Sequence, residues 1–560
     1  MNLLGRATDK AFWAEVRESD AYSFFRSETH RMWNEHCEGK ELLALRYSDF
    51  KRFFVDGNRS IYEAEYFTRR IGMDSAAILA LMYPEEEKYI NRLMDTIYAI
   101  CDEYTWCLPA HQGQCEHNDN CRVDLFASET AFALAEIYTI LYDRLDPLIK
   151  SRILVEIERR VLTPYEQRVH ESVYWEKYSN NWNSVCTTSV ACTYMLLHPD
   201  RARENIPRFE EAMAIYLSAF KEDGICDEGC GYWRYGFGFF IVYADMMKTF
   251  TDGAIDHFAS EKVKKIAQFE QNMFLSGNSS VSFADAAVTM RSQLAINHYL
   301  KSIYPDEITP ADINNVYVND HCGRFCLYLR SATWFNEAYL TADALEIGSE
   351  FYGESTEWLV KKMPTYAFAA KGGHNKENHN HNDVGGFIVA RSGRQILTDP
   401  GAGTYTAQYF QNEHRYEVFE ASSRGHCVPI IGGEYQKFGE EYTSRDVKYE
   451  DGVFSMDIAG AYGLDDLHSL SRTFDIKDEV LTLTDEFDYV GDGIITERFI
   501  SQVAPEVCDD GSIVLDSITI TATPCTAIRT SEQIIKYDKV VYVIDLDLPR
   551  GTDKFVCIIK

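Results

Sequence analysis

The chain has no CxxC pair, no surplus of basic residues, no long apolar run, no internal repeat and no low-complexity tract. Each absence closes off a class of partner or compartment. The 15 cysteines are odd in number and scattered, which argues against a disulfide framework and fits a reducing environment. A bilayer span needs about 20 consecutive apolar residues, and no stretch reaches that. The opening residues, MNLLGRATDKAFWAEV, lack the basic flank and unbroken apolar core of a secretory signal. The expectation is therefore a cytoplasmic protein. A net charge of −32 argues against a nucleic-acid backbone or an anionic membrane as partner. It leaves room for a small anionic ligand held by a local patch of Arg and His.

At 560 residues the chain exceeds what one hydrophobic core organises, so two domains are expected. The hydrophobic content of 46% is ordinary, whereas 13% aromatic is rich; large cores and carbohydrate stacking both use such residues. The first half reads helical. Ile149, Ile153, Ile157 and Val161 recur every four residues, as do Phe209, Met213, Tyr216 and Phe220. Ala131 to Tyr142 is apolar nearly all round, interrupted by Glu136 and Thr139, so it should be buried on most sides. Helical hairpins closing into a toroid or arc are the natural packing to about residue 340. Beyond about residue 365 the period changes to two: Phe454, Met456 and Ile458 alternate with polar neighbours, as do Leu481 and Leu483, and Ile518 and Ile520. Asp451-Gly452, Asp492-Gly493 and Asp510-Gly511 mark turns between such runs. The fold class is thus α+β and multidomain: an (α/α) toroid of helical hairpins over 1–355, then an antiparallel β-sandwich over 356–560, with the boundary between Gly348 and Pro364.

The densest chemistry lies from His374 to Tyr405, HNKENHNHNDVGGFIVARSGRQILTDPGAGTY. His379, His381 and Asp383 alternate, so on extended backbone all three face one side. Gly386 to Ala390 reads as a buried strand, and Asp399-Pro400-Gly401 ends the next one, Gln395 to Leu397. Pairing of those strands would return Asp399 to the side of His381. Two neutral imidazoles and a carboxylate suit a divalent metal of the zinc or manganese type; the plainer alternative is a polar hydrogen-bonded loop. A second set, Cys101, Cys107, Cys115 and Cys121 with His111 and His117, has spacings too wide and irregular for the usual zinc knuckles.

Two polar segments interrupt the helical half. Ser179-Asn180-Asn181-Trp182-Asn183 places carboxamides beside an indole, and Asp223 to Tyr235 ends in Tyr-Trp-Arg-Tyr after a glycine-rich turn. Singly, these read as an Asx-turn cap and an aromatic core corner. Together, in order, the motifs NNW, DGxxxEGxGYWxYG, HNHNDxGxF…G…LxDPGxGTY and RYE…SSRGHxVPxIxGxxQ resemble the heparinase II/III-like polysaccharide lyases. The last of these runs from Arg415-Tyr416-Glu417 through Ser422 to His426, Pro429 and Gln436, and the resemblance spans roughly residues 90 to 440.

The resemblance implies a toroid joined to a β-sandwich, and β-elimination at a uronic acid that leaves a 4,5-unsaturated uronate. The proton on C5 is weakly acidic because its loss places a second negative charge beside the carboxylate. A neutral donor or cation must take up that charge, a base must reach C5, and an acid must protonate the departing O4. By resemblance, Asn181, alone or with Asn180, is the neutraliser, Tyr235 the acid and, when proton and leaving group share a face, also the base, and His379 the second acid/base. Tyr232 competes with Tyr235. A phenol with a pKa of about 10 needs help to act as base, and Arg234, Arg415 or a protonated His would supply it.

Asn180, Trp182, Tyr232, Trp233, Arg234, Tyr405, Arg415 and Tyr416 are the expected substrate contacts, with His414 a further candidate. Glu228 is expected to orient the tyrosine-bearing loop. The implied metal ligands are His381, Asp399 and His426, holding Zn, or alternatively Mn or Ca, as a brace for the site. One departure is Cys427, where the family commonly has Asn. A thiolate is a soft ligand and would favour zinc, although a buried thiol is the plainer account. The implied partner is an acidic oligosaccharide or polysaccharide of glycosaminoglycan or alginate type, with no nucleic acid and no membrane. Two rival classes are a toroid glycoside hydrolase using Asp227 or Glu228 with Asp124, for which no paired motif is present, and a silent glycan-binding relative. The sequence does not fix the oligomeric state.

Overall fold

The computed structural model describes residues 2–560 except 113–121, 168–172, 341–348, 407, 408, 410 and 478. The chain divides into two compact units. The first comprises Met1–Ala219, Arg234–Lys264 and Ser292–Ala342, the second Phe220–Trp233, Lys265–Arg291 and Asp343–Lys560.

The first unit is helical. Helix α1 (Leu125–Ile140) starts where the Asp124 side chain accepts from the Ala127 N–H, a cap that satisfies an otherwise orphan donor. Its apolar circumference buries it almost completely, and Glu136, fully buried within it, is neutralised by Arg330 at 2.6 Å. Helix α2 (Pro147–Ile157) has Asp146 as cap and proline in its first turn. Ile149, Ile153 and Ile157 are buried on one face, with Val161 continuing the row into the next turn. Helix α3 (Asn181–Leu197) is buried over most of its length. Helix α4 (Pro199–Ser218) buries Phe209, Met213 and Tyr216, the stripe expected from the period. Helices α5 (Cys230–Phe250) and α6 (Phe325–Thr333) follow. Ser184 of α3 donates to the Gly236 carbonyl at 2.7 Å and Thr188 to that of Phe239 at 3.1 Å, so small hydroxyls hold α3 closely against α5.

The second unit carries the sheets. Strands β1 (Ala367–Lys371), β2 (Phe387–Arg391) and β3 (Arg394–Leu397) are consecutive neighbours in a nine-stranded sheet. β2 and β3 form an antiparallel hairpin in which Arg391 faces Arg394. Strands β4 (Val453–Asp457), β5 (Leu467–Lys477) and β6 (Val480–Tyr489) lie side by side in an eight-stranded antiparallel sheet. Period-two alternation turns Phe454, Met456, Leu481 and Leu483 into the core. Phe368 of β1 and Phe387 of β2 stand 5.1 and 5.2 Å from Phe474 of β5, so the sheets contribute to one apolar cluster.

Candidate functional site

In the sheet-bearing unit the histidines gather round a residue outside every motif, Asp285. His379 Nδ1 lies 2.7 Å from its Oδ2 and His381 Nε2 3.1 Å from its Oδ1. Arg415 donates to Oδ1 at 3.0 Å, and so does the Tyr409 hydroxyl. Burial alone would push this carboxyl up, but the hydrogen bonds from both histidines and the Arg415 charge hold it well below the usual carboxylate range. His379 is not extended: its φ is 56°. The alternation expected of His379, His381 and Asp383 therefore fails. The two imidazoles converge on Asp285, while Asp383 turns to the buried Lys371 at 2.6 Å. With Nδ1 directed to Asp285, His379 presents Nε2 to Glu228 Oε2 at 3.6 Å. Tyr232 stacks on its ring at 4.3 Å between centroids, and the Tyr232 hydroxyl meets that of Tyr405 at 3.2 Å. An imidazole oriented on one nitrogen and faced by a carboxylate on the other is equipped to hold and release a proton.

His381, Asp399 and His426 are all buried, with ligand atoms within 4.8 Å of one another. The β2–β3 hairpin makes this possible, since Asp399 follows the end of β3, and Gly401 N–H donates to its Oδ1 at 2.8 Å. His381 Nδ1 is buried with no hydrogen-bond partner. His426 lies between two oxygens, with Nε2 2.9 Å from the Glu420 carbonyl and Nδ1 3.0 Å from Asp399 Oδ2. The orphan imidazole nitrogen of His381 beside the buried Asp399 carboxylate fits a cation among the three, with Asp285 orienting His381 from behind. Cys427 takes no part. It receives the Ile500 N–H at 3.3 Å, and burial pushes its thiol up to about 12, which makes it a core thiol and not a soft ligand. Of the cysteine–histidine set, Cys115, Cys121 and His117 lie outside the described residues. Among the described residues no other cluster is close enough to hold a metal, and no disulfide forms.

In the helical unit the second centre is built on α1, α3 and α5. The Tyr235 hydroxyl donates to Glu129 Oε1 at 2.5 Å, Arg324 Nε lies 3.2 Å from Glu129 Oε2, and the Arg324 guanidinium covers the Tyr235 ring at 3.9 Å. Burial and the Glu129 carboxylate push the phenol well up, against the pull of Arg324. Within the helical unit the cation at this phenol is thus Arg324, and Arg234 does not fill that role. Arg234 lies over Tyr317 at 5.7 Å. Arg415 is engaged by Asp285 and the carbonyls of His379, Asn380 and Tyr409. Gly236 has no side chain because the start of α3 occupies that space. A Cβ there would sit 3.2 Å from the Asn181 Cβ and 2.7 Å from the Tyr216 hydroxyl. Asn181, in the first turn of α3, is thereby brought beside the Tyr235-Gly236 step, and no described residue hydrogen-bonds its carboxamide.

The remaining expected contacts divide between the two units. Asn180 caps α3, its Oδ1 accepting from Trp182 N–H at 3.1 Å. Trp182 meets the His111 ring edge-on at 4.7 Å. Trp233 is 1% exposed and its indole N–H donates to the Ile266 carbonyl, which makes it a packing residue. Tyr416 donates to Asn380 at 2.9 Å and stacks on Phe438. Asp124, offered as a hydrolytic acid, is fully buried and already accepts from Leu108 N–H, Ala127 N–H and His111. Sequence reasoning missed Asp285, Glu129 and Arg324. The one available signal was a lone charge inside an apolar run, VSFADAAV and LFASETAF, since such charges are rarely buried unless paired.

No family model matches the chain, and no curated protein matches it by sequence. Solved structures do. A structure of Heparinase III superposes with a TM-score of 0.61 at 14% identity, covering 100% of this chain and 92% of that one. A mutant of heparan sulfate lyase HepC from Pedobacter heparinus gives 0.61 at 12%, covering 100% and 87%. A chondroitinase AC lyase gives 0.53 at 9%, covering 100% and 83%. The chain has the fold of the heparinase III structures.

Proposed function

We propose that this chain is a lyase that cleaves uronate-containing oligosaccharides of glycosaminoglycan type by β-elimination. The observation that carries the reading is the helical centre. An asparagine whose carboxamide no described residue engages, in the first turn of α3, packs against Gly236, the residue next to a tyrosine whose hydroxyl is already committed to a carboxylate. Asn181 would hold the uronate carboxylate and take up charge as the aci-carboxylate forms, helped by the positive end of α3. Tyr235 would remove the C5 proton and protonate the departing O4 when both lie on one face of the ring. His379, oriented by Asp285, would serve as second acid/base when they lie on opposite faces. The substrate contacts proposed are Asn180, Trp182, Tyr232, Arg234, Tyr405 and Tyr416.

His381, Asp399 and His426 would hold a divalent cation, zinc by donor type. Its contribution there is charge that fixes the loops bearing His379 and His426. In the same reading the helices close as an (α/α) toroid and the sheets form a β-sandwich, which the shared phenylalanine core supports. The test is ultraviolet absorbance during incubation with mixed uronate oligosaccharides. A lyase creates a conjugated double bond, a hydrolase new reducing ends without it, and a binder neither. Tyr235→Phe is expected to abolish the gain while folding survives; near-normal activity in that variant moves the role to Tyr232 or His379.

A further inference from the structure

The carboxylate behind Tyr235 is unexplained by the reading so far. Glu129 sits on α1, a helix otherwise apolar on nearly every side, and burying a carboxylate there is costly unless it has a use. A Gln would satisfy the Tyr235 hydroxyl as well without that cost. We propose that Glu129 is the proton acceptor behind Tyr235, taking the phenol's proton as the phenol oxygen receives the proton from C5 of the sugar. The inference rests on the lyase reading above.

The step balances without a co-reactant. The C5–H bond breaks and its proton goes to the Tyr235 oxygen. The original hydroxyl proton goes to Glu129 Oε1, and the C5–H electron pair passes into the aci-carboxylate held by Asn181, then forms the C4=C5 bond as C4–O4 breaks. Tyr235 then gives a proton to O4 and is refilled from Glu129, which returns to its starting state. Glu129 never touches the sugar. It is a positioning residue acting through Tyr235.

The surroundings agree. The 2.5 Å contact is already in the donor–acceptor geometry that transfer needs. Arg324 spans both partners, over the ring at 3.9 Å and 3.2 Å from Glu129 Oε2, so it stabilises negative charge on whichever oxygen carries it. Asp320 also pairs with Arg324, which keeps Glu129 from being fully neutralised. The space lined by Glu129, Arg70 and Arg324 is a cavity of about 20 Å³, room for about one water, so bulk solvent is no competing acceptor on that side. The groups facing Glu129 are Tyr235 from α5, Arg324, Asp320 and Cys322 ahead of α6, Cys326 on α6, Asp124 at the start of α1 and Cys186 on α3. Against Arg324, burial still pushes the Glu129 carboxyl up to about 7, where it can both accept and return a proton near neutrality.

The test is Glu129→Gln in the full chain, which keeps an acceptor oxygen for Tyr235 but cannot take its proton. The expected result is a fall in kcat of about 10²–10³-fold, KM within about two-fold, and loss of the acidic limb near pH 7 from the pH–rate profile. Glu129→Asp should recover part of the rate with the limb restored and displaced. Wild-type kcat and an unchanged limb in Glu129→Gln overturn the relay. If Glu129→Gln melts much below the wild type, the decision passes to Glu129→Asp, where an unmoved limb overturns it. Failure of the lyase reading looks different: the wild-type chain itself forms no unsaturated product, and the relay falls with it.

Discussion

Asp285 accepts from two imidazoles, a guanidinium and a phenol, and that sharing decides what a substitution there does. In Asp285→Asn the buried Arg415 loses its counter-charge, and removing one partner of a buried pair costs about 3–5 kcal/mol. Urea titration should show that loss, and zinc affinity should fall about 10–100-fold because His381 loses its orienting partner. Unchanged stability and affinity would show that Asp285 is a bystander. The pH sign follows from the depressed carboxyl. Its stabilisation is present above the unfolded carboxylate pKa of about 3.9 and is lost only as pH falls through the lower folded value, so it makes no contribution to pH dependence between 5 and 8.

Glu129 has the opposite sign. Its carboxyl is raised to about 7 by burial, with Arg324 opposing, so its stabilisation is present below the unfolded value and lost as pH rises toward 7. Glu129→Gln removes that loss. Relative to wild type, its stability should climb by about 1–3 kcal/mol between pH 4.5 and 7.5, read as a widening difference in melting temperature. A constant difference across that range would mean the carboxyl is not raised.

At the scale of elements, the tightest constraint is where the turn after β3 meets the segment carrying Asp285. Gly401 has φ 67°, and a Cβ there would lie 2.2 Å from the Ala286 carbonyl oxygen. Ala402 N–H bonds that same oxygen at 3.2 Å, and Ser282 donates to the Asp399 carbonyl at 2.8 Å. Gly401→Ala therefore meets both an unfavourable backbone conformation and a backbone clash. The expected cost is at least about 2 kcal/mol, with reduced metal stoichiometry although no ligand is touched; full stoichiometry at normal stability would show the loop adapts freely. The β2–β3 hairpin itself was legible, because a five-residue apolar strand, a short polar turn and the Asp-Pro-Gly stop are local signals. The return of Asp399 to His381 followed from it. The partner segment was not legible: residues 279–286 lie far away in sequence and carry no period that points to a carboxylate acceptor.

At the scale of the whole molecule the same limit recurs. Helix stripes such as Ile149 to Val161 and strand alternation such as Phe454 to Ile458 are local, and they disclosed the helical and sheet-bearing textures. The assignment of Phe220–Trp233 and Lys265–Arg291 to the sheet-bearing unit depends on contacts between distant segments. Asp223 accepts from Thr356 at 2.8 Å, Lys221 pairs with Glu377 at 3.1 Å, and Lys362 donates to the Gln271 carbonyl at 3.1 Å.

A fragment of residues 343–560 tests what those segments contribute. It keeps every strand of the eight-stranded sheet and the phenylalanine core, so apolar burial should still fold β4, β5 and β6. It loses Asp285, and with it the shared acceptor of His379, His381 and Arg415, leaving a buried guanidinium without its carboxylate. Hydrogen exchange should therefore find strand amides in 453–489 protected as in the full chain, while those of 374–426 exchange orders of magnitude faster. Equal protection of both regions in the fragment would mean the histidine cluster is built by the C-terminal residues alone, and that Asp285 only reports on a site it does not hold.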